Sequence, residues 1–318
     1  MSERPTLGVI MDPISHINPK KDTTLALLIE AQRRGFELHY MELPDLFLQY
    51  GNAWGYTRSL QVTEDLKEWY RLSAPTRRPL DHFDVLLMRK DPPINMEYFY
   101  ATYILEHADQ NGVLVINKPQ SLRDANEKLF TTWFPQCMPP TIVSCRKDTL
   151  KEFIEEHVSV VLKPLDSMGG KSIFKCEAFS PNVNVIIDLL TQEGTQHIMA
   201  QRYIPEITEG DKRILLIDGD PIPYALARIP RKDDFRGNLV AGAVGEGRKL
   251  TDRDLWICSQ IGPTLQEKGL VLVGIDVIGE YLTEINVTSP TCVKELEKEF
   301  EIDIAGRILD CIIDKLHD

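Results

Sequence analysis

No apolar run in this chain approaches the roughly 18–20 residues that a membrane helix needs, so no transmembrane helix is expected. Positive charge is in short supply. Lys and Arg number 36 against 48 Asp and Glu, and the net charge of −12 argues against a bulk nucleic-acid or anionic-membrane partner, since both attract basic surfaces. A local basic pocket for phosphate stays open. Cys137, Cys145, Cys176, Cys258, Cys292 and Cys311 form no C-x-x-C pair and no framework spacing, which reads as reduced cysteine in a cytoplasmic protein. The seven His are scattered, none at metal-ligand spacing with another. A G-x-G-x-x-G turn is missing, which makes a dinucleotide site a poor reading. No Ser–His or Cys–His pairing signals a nucleophile. Met1-Ser2-Glu3-Arg4-Pro5 leads into a strand without the apolar core of a signal peptide. Internal repeats and low-complexity tracts are absent too.

What is there reads as α/β. At 318 residues the chain can hold two or three domains with cores of their own. Thr6 to Met11 reads as a strand, and Thr23 to Arg34 as a helix with Leu25, Leu28 and Ile29 on one face. Gly35 ends that helix and Glu37 to Met41 is the next strand, a β-α-β opening that predicts a parallel sheet. Val85 to Met88 and Val113 to Ile116 are further strands around a helix from Glu97 to Asn111. Leu46 to Val62 reads as an aromatic hairpin insertion. Beyond Lys118-Pro119 come a helix at Asp148 to His157, strands at Ser159 to Leu162, Ile173 to Cys176 and His197 to Gln201, and a helix at Val183 to Gln192. Strands at Ile214 to Ile217 and Pro223 to Arg228 flank the turn Asp218-Gly219-Asp220. Pro230 to Lys249 has four Gly and no periodicity, and a loop that long in a compact domain reads as a lid. Two amphipathic helices follow, Asp252 to Lys268 and one marked by Ile304, Ile308, Ile312 and Leu316.

The chemistry concentrates in the run Thr283 to Pro290. Side chains at i and i+2 share one face of a strand, so Glu284 and Asn286 present two hard oxygen donors together. Asp276, on the apolar run Leu270 to Ile278, supplies a third. Hard oxygens with room for water and phosphate describe a Mg²⁺–nucleotide site; the alternative is the wet face of a half-buried strand. Lys163 ends the buried strand Val160-Val161-Leu162, which suits a fixed phosphate contact. Ser167-Met168-Gly169-Gly170-Lys171-Ser172 ends like a Walker A motif, but Leu165 stands where the first Gly belongs and a strand follows. A glycine hairpin that offers backbone N–H groups to phosphate survives that test. Lys128 lies on a short helix near the domain boundary. Arg213 and Arg228 bracket the Asp218-Gly219-Asp220 turn, and Arg231, Lys232 and Arg236 lie on the lid. Clustered cations over a metal are what phosphoryl transfer needs.

These residues in this order resemble a bacterial glutathione synthetase of the ATP-grasp superfamily, over essentially the whole chain. The likeness is carried by Gly8 to Pro13, Leu87 to Pro93, Asn117 to Asp124, Lys163-Pro164-Leu165-Asp166 and Thr283 to Thr291. It implies an N-terminal parallel-sheet (pre-ATP-grasp) domain over residues 1–124. A two-subdomain ATP-grasp fold would follow over 125–205 and 206–318, with a lid at 230–249. It implies ligation of γ-glutamylcysteine to glycine with ATP as co-substrate and Mg²⁺ (or Mn²⁺) as the metal. By the same likeness Lys128 and Lys163 contact phosphates, Gln201, Tyr203 and Ile204 hold the adenine edge, and Asp211 faces the ribose. Asp276, Glu284 and Asn286 match metal ligands. Arg213 and Arg228 match cations near the transferring group, and Arg89, Ser289 and Thr291 contacts to the dipeptide. A homotetramer is carried over from relatives. Two alternatives remain at this stage: another ATP-grasp acid–amine ligase, such as a D-alanine–D-alanine ligase, and a non-catalytic nucleotide-binding protein of the synapsin kind.

Overall fold

The structure is a computed structural model that describes residues 4–167, 169–231, 237 and 242–317. Three sheets organise it. The N-terminal sheet runs through strands Thr6–Met11, Glu37–Met41, Val85–Arg89 and Leu114–Ile116, all parallel, as the β-α-β pattern predicts. The aromatic insertion is a hairpin, Leu46–Gln49 with Asn52–Val62, and its second strand extends the same sheet antiparallel to Glu37–Met41. A four-stranded antiparallel sheet follows, in the order Phe174–Glu177, Ser159–Pro164, Ile198–Arg202, Thr141–Ser144. The C-terminal sheet is also antiparallel, in the order Val244–Lys249, Asp220–Ile229, Asp211–Ile217, Leu272–Ile278, Tyr281–Asn286.

Several expectations shift in detail. The strand read as Ile214 to Ile217 begins at Asp211, so Asp211 and Arg213 belong to it. Lys128 does not sit on the helix Pro119–Asp124 but just ahead of a 3₁₀ turn, Leu129–Trp133. The end of the expected lid is not loop: Val244–Lys249 pairs along Asp220–Ile229. Two of its glycines suit that position. A Cβ at Gly247 would meet the Phe300 ring at 2.4 Å, and one at Gly245 would press on Leu226 at 3.3 Å. Of the rest of that segment, residues 232–236 and 238–241, including Lys232 and Arg236, lie outside the described residues. The strand Thr141–Ser144 and the helix Val293–Phe300 add to the elements read from sequence.

The cores do not follow the three sheets one for one. One cluster packs Ile10, Met88, Tyr98 and Leu105 with Ile214, Ile261 and Ile275. A second joins Leu7, Leu25 and Leu28 to Leu215, Leu296, Ile308 and Ile312. The N-terminal and C-terminal sheets therefore share two continuous cores. The middle sheet has its own, built from Leu150, Ile154, Val160, Leu162, Ile187 and Ala200. Each of those side chains removes apolar surface from water at about 25 cal/mol per Å².

Asn117 stitches the shared body. It is buried, its Nδ2 donates to the carbonyls of Leu272 (2.8 Å) and Val287 (2.7 Å), and its Oδ1 accepts from Leu272 N (2.9 Å). Removing it strands buried backbone groups, each costing about 1–3 kcal/mol. Asn117→Ala should lower unfolding free energy by about 3 kcal/mol, read from the urea midpoint at unchanged slope.

Candidate active site

A cleft opens between the middle and C-terminal sheets. Its C-terminal wall is a row of charges fixed by strand register. Arg213 lies directly across from Asp276, Asp276 from Glu284, Asp211 from Arg228, and Asn286 from Gly274. Residues 211 and 213, and 284 and 286, stand two apart, so the row occupies one face of the sheet. Gly274 makes room for it: a Cβ there would sit 2.9 Å from Arg213 Cδ and 3.0 Å from Pro290 Cβ.

The charges interlock. Arg213 donates from Nε to Asp276 Oδ1 (2.5 Å) and from Nη2 to Oδ2 (3.1 Å), a bidentate pair. Arg228 Nη2 bridges Asp211 Oδ2 (2.5 Å) and Asp276 Oδ2 (2.9 Å). Burial pushes the Asp276 carboxyl up, but Arg213 and Arg228 together outweigh it and hold the group well below the usual carboxylate range. Asp211 has one clear cation partner and goes the other way. Burial raises it to about 7, against the pull of Arg228 and with the push of Asp276 and Glu284. Its Oδ1 is buried and makes no hydrogen bond among the described residues.

The opposite wall carries Lys163, and Lys128 sits beside the acidic wall. Lys163, on Ser159–Pro164, is buried, and its Nζ donates to Gln201 Oε1 at 2.8 Å. No carboxylate lies within ion-pair distance of it among the described residues, and burial lowers its pKa. Lys128, also buried, donates to the Ser167 carbonyl (2.5 Å) and lies 3.6 Å from Glu284 Oε1. The turn at Gly169 and Gly170 has φ of 63° and 77°, a conformation only glycine adopts without strain.

The cleft thus gathers Lys128, Lys163, Gly169, Gly170, Gln201, Tyr203, Ile204, Asp211, Asp276 and Glu284. Arg213 and Arg228 stand behind the two aspartates. Asn286 lies beside this wall, and its buried Nδ2 has no hydrogen-bond partner among the described residues. Three predicted residues lie elsewhere. Arg89 is buried, donating to Thr24 Oγ1 (3.0 Å) and the Pro290 carbonyl (2.9 Å). Ser289 is half-buried in that same loop. Thr291 is exposed, with Oγ1 3.7 Å from Cys292 Sγ.

Sequence reading missed Glu127. Its Oε1 accepts from Val287 N (3.0 Å), Thr288 N (3.2 Å) and Thr288 Oγ1 (2.9 Å), and its carbonyl accepts from Ile285 N (2.8 Å). It ties the strand bearing Glu284 and Asn286, and the loop after it, to the segment that carries Lys128. The only sequence signal was that adjacency. Among the described residues no three His, Cys, Asp or Glu side chains cluster as a metal centre. The donor set nevertheless fits a hard cation that keeps water and takes phosphate oxygens: Glu284 reaches the cleft, and the Asn286 carboxamide beside it, whose unpartnered end is drawn as Nδ2, presents its oxygen there once the amide is turned. Asp276 contributes charge, with both oxygens engaged by guanidinium.

The family models of the prokaryotic glutathione synthetase N-terminal domain and ATP-grasp domain match residues 6–123 and 127–301. Glutathione synthetase of Coxiella burnetii (strain RSA 493 / Nine Mile phase I) is 58% identical over 303 residues, 95% of this chain and 94% of that one. The crystal structure of D-cycloserine synthetase DcsG aligns with TM-score 0.70 at 14% identity, covering 98% of this chain and 99% of that one. ATP-grasp ligase PsnB, complexed with minimal precursor, Mg and ADP, aligns at TM-score 0.61 and 15% identity, covering 98% of each. At those identities the two structures speak to fold alone.

Asp211 gives a pH signature in protein free of metal and nucleotide. Its folded pKa is raised above the unfolded value of about 3.9, so folding takes up a proton between about pH 4 and 7. Stability should fall as pH rises through that window and level off above it. Asp211→Asn keeps an oxygen for Arg228 and removes the titration. Its melting temperature relative to the parent should rise from pH 5 to pH 8, measured by calorimetry; a constant difference would contradict the assignment.

Proposed function

The chain belongs to the prokaryotic glutathione synthetase family, and we propose that the cleft between its middle and C-terminal sheets is where ATP drives the ligation. The protein is an ATP-dependent ligase that joins γ-glutamylcysteine to glycine, giving glutathione, ADP and phosphate. The observation that carries the assignment to this cleft is that one opening holds two buried lysines and an acidic wall, with no carboxylate at ion-pair distance from Lys163 among the described residues. A buried ammonium without a carboxylate partner calls for an anionic ligand.

In this reading Lys128, Lys163 and the backbone N–H groups of the Gly169–Gly170 turn hold the phosphates. The strand end at Gln201, Tyr203 and Ile204 borders the adenine, and Asp211, with a buried oxygen that has no hydrogen-bond partner among the described residues, faces the ribose. Mg²⁺, or Mn²⁺ in its place, held by Glu284 and Asn286 with Asp276 behind, neutralises phosphate charge when bound. Arg213 and Arg228 supply positive potential from the sheet face. A carboxylate is a poor acyl donor because oxide leaves badly. Its oxygen attacks the γ-phosphate, ADP leaves, and the resulting acyl phosphate has a good leaving group. The glycine amine then attacks the carbonyl, phosphate departs, and the amine gives up a proton. The protein aligns the reactants and excludes water; we assign exclusion to the segment 230–249.

Arg89, with Ser289 and Thr291, is assigned to the dipeptide. Its guanidinium is buried and has no carboxylate partner among the described residues, which suits a substrate carboxylate. The domain division 1–124, 125–205 and 206–318 is proposed with the site. So are a homotetramer, from family likeness, and a cytoplasmic setting. The second is supported by six cysteines without a disulfide.

Three measurements check this. ADP release should require both γ-glutamylcysteine and glycine, and omission of either should leave background. Glu284→Ala should cut turnover about 100-fold or more with unchanged far-UV circular dichroism, because it removes a ligand from an accessible wall. Unaltered kinetics at saturating Mg²⁺ would remove the metal assignment. Arg89→Met should raise KM for γ-glutamylcysteine about 10–100-fold while KM for ATP moves little, from loss of a buried charge contact.

A further inference from the structure

The segment Asn126-Glu127-Lys128 touches both sides of the cleft through three consecutive residues. Glu127 holds it to the C-terminal sheet: its carbonyl accepts from Ile285 N at 2.8 Å and its carboxylate from Val287 N at 3.0 Å. The segment is therefore fixed to the wall that bears Glu284. Lys128 reaches the other way, to the Ser167 carbonyl at 2.5 Å. Asn126 reaches the same turn at its root. Its Nδ2 donates at 3.1 Å to the carbonyl of Leu165, the residue directly after the strand Ser159–Pro164. Its Oδ1 accepts from Lys128 N at 3.1 Å and from Leu129 N at 3.0 Å. Those two backbone donors settle which end of the amide is oxygen, because the reversed amide would set an NH₂ against two N–H groups.

We infer that Asn126 is a positioning residue: it ties the root of the Gly169–Gly170 turn to the segment that presents Lys128, and so registers the phosphate grip of the middle sheet against the wall that bears Glu284. Three observations carry this. One amide does two separable things, since its oxygen shapes the backbone around Lys128 and its nitrogen holds the turn. The bond to Leu165 also crosses between bodies with separate cores. Leu165 follows a strand whose Val160 and Leu162 belong to the middle core, while Glu127 is bonded to a strand whose Ile285 belongs to a shared one. Finally, Lys128 divides its ammonium between the Ser167 carbonyl and Glu284, 3.6 Å away, and in the proposed function it also serves phosphate. Asn126 holds the turn from a side chain with no assigned contact to nucleotide or metal.

The inference rests on Lys128 and the glycine turn contacting phosphate, so that reading is tested first. Binding of ADP with Mg²⁺, and of adenosine, is measured by calorimetry on the full-length protein. Lys128→Met should weaken ADP at least tenfold and adenosine less than twofold. Equal effects on both ligands, or none, would remove the phosphate contact and the inference with it. Given that result, Asn126→Ala should lower the melting temperature and weaken ADP about tenfold, with adenosine moved less than twofold. Asn126→Ser restores a neutral acceptor near the two backbone N–H groups but is too short to reach Leu165. It should recover most of the melting temperature and little of the ADP affinity. In both variants kcat should fall about fivefold while KM for γ-glutamylcysteine stays nearly unmoved, the result of a misplaced phosphoryl group. Recovery of stability and ADP affinity together would reduce Asn126 to a local cap and overturn the inference, as would parallel loss of adenosine. Gly169→Ala supplies a second arm. A Cβ there meets nothing within 4 Å among the described residues, so the change acts on the turn through its φ of 63°. In that background Asn126→Ser should weaken ADP less than twofold, and a full repeat of its loss would overturn action through the turn. Should Asn126→Ser fail to fold, Asn126→Asp keeps both acceptor bonds, offers Leu165 no donor, and decides by the same cycle.

Discussion

The interaction on which this architecture depends is the buried row Asp211–Arg228–Asp276–Arg213. Each of these ions alone would be costly to desolvate, and a single unpaired one would lose several kcal/mol. Alternation makes the row tolerable: every carboxylate meets a guanidinium and every guanidinium a carboxylate. The partners come from three adjacent strands, so the row also sets their register. A slip of one residue would send every member to the other face. Gly274 belongs to the same constraint, because any side chain there would displace the Arg213 stem. The imbalance within the row is informative. Asp276 is doubly compensated and Asp211 only singly, which leaves one Asp211 oxygen at the cleft without a hydrogen-bond partner among the described residues.

The wall is stiff because of what lies beneath it. The C-terminal sheet shares both its cores with the N-terminal sheet, and Asn117 pins the two from the end of a parallel strand. Arg89 therefore belongs to the same body as Glu284, although one is in the first sheet and the other in the last. Glu127 extends the body to Lys128. The middle sheet, with Lys163 and the glycine turn, has a separate core. Reactant alignment is thus assigned to one continuous body and the grip on phosphate partly to another. On the proposed assignment, such a division would let the cleft admit a large nucleotide without disturbing the geometry of the dipeptide contacts.

Much of this was legible in sequence because it is periodic or local. The β-α-β opening, the i, i+2 pairing of Glu284 with Asn286 and the strand-end Lys163 are all of that kind. The missing parts are non-local or short. Thr141–Ser144 is four half-buried residues after a Pro-Pro pair, too brief to show alternation. Glu127 looks like any helix-end acid until its three acceptor bonds appear 160 residues away. The strand Val244–Lys249, reading Val-Gly-Glu-Gly-Arg-Lys, has little β propensity of its own. Its glycines looked like loop, yet they let the strand lie against Phe300 and Leu226. Arg213 and Arg228 were read as cations facing a ligand; that they first face aspartates is a matter of register, which no spacing rule supplies.

Net charge and site charge point in opposite directions here, and the contrast has a physical reading. The chain carries −12 overall, while ATP and γ-glutamylcysteine are both anionic. Long-range attraction therefore does little to bring them in. On the assignment proposed above, capture falls to a few cations, Lys128, Lys163 and Arg89, all buried. Charges in that setting escape most of the ionic screening that weakens surface pairs. They also act on whichever group is placed against them, and not on anions in general. An acidic exterior with desolvated cations inside is a way to favour two particular anions over the many others in solution. The same scaffold appears in ligases of 14–15% identity, and shared scaffold alone does not choose a substrate. Selectivity must then reside in where those few cations are held, which makes the residues that hold them as consequential as the cations themselves.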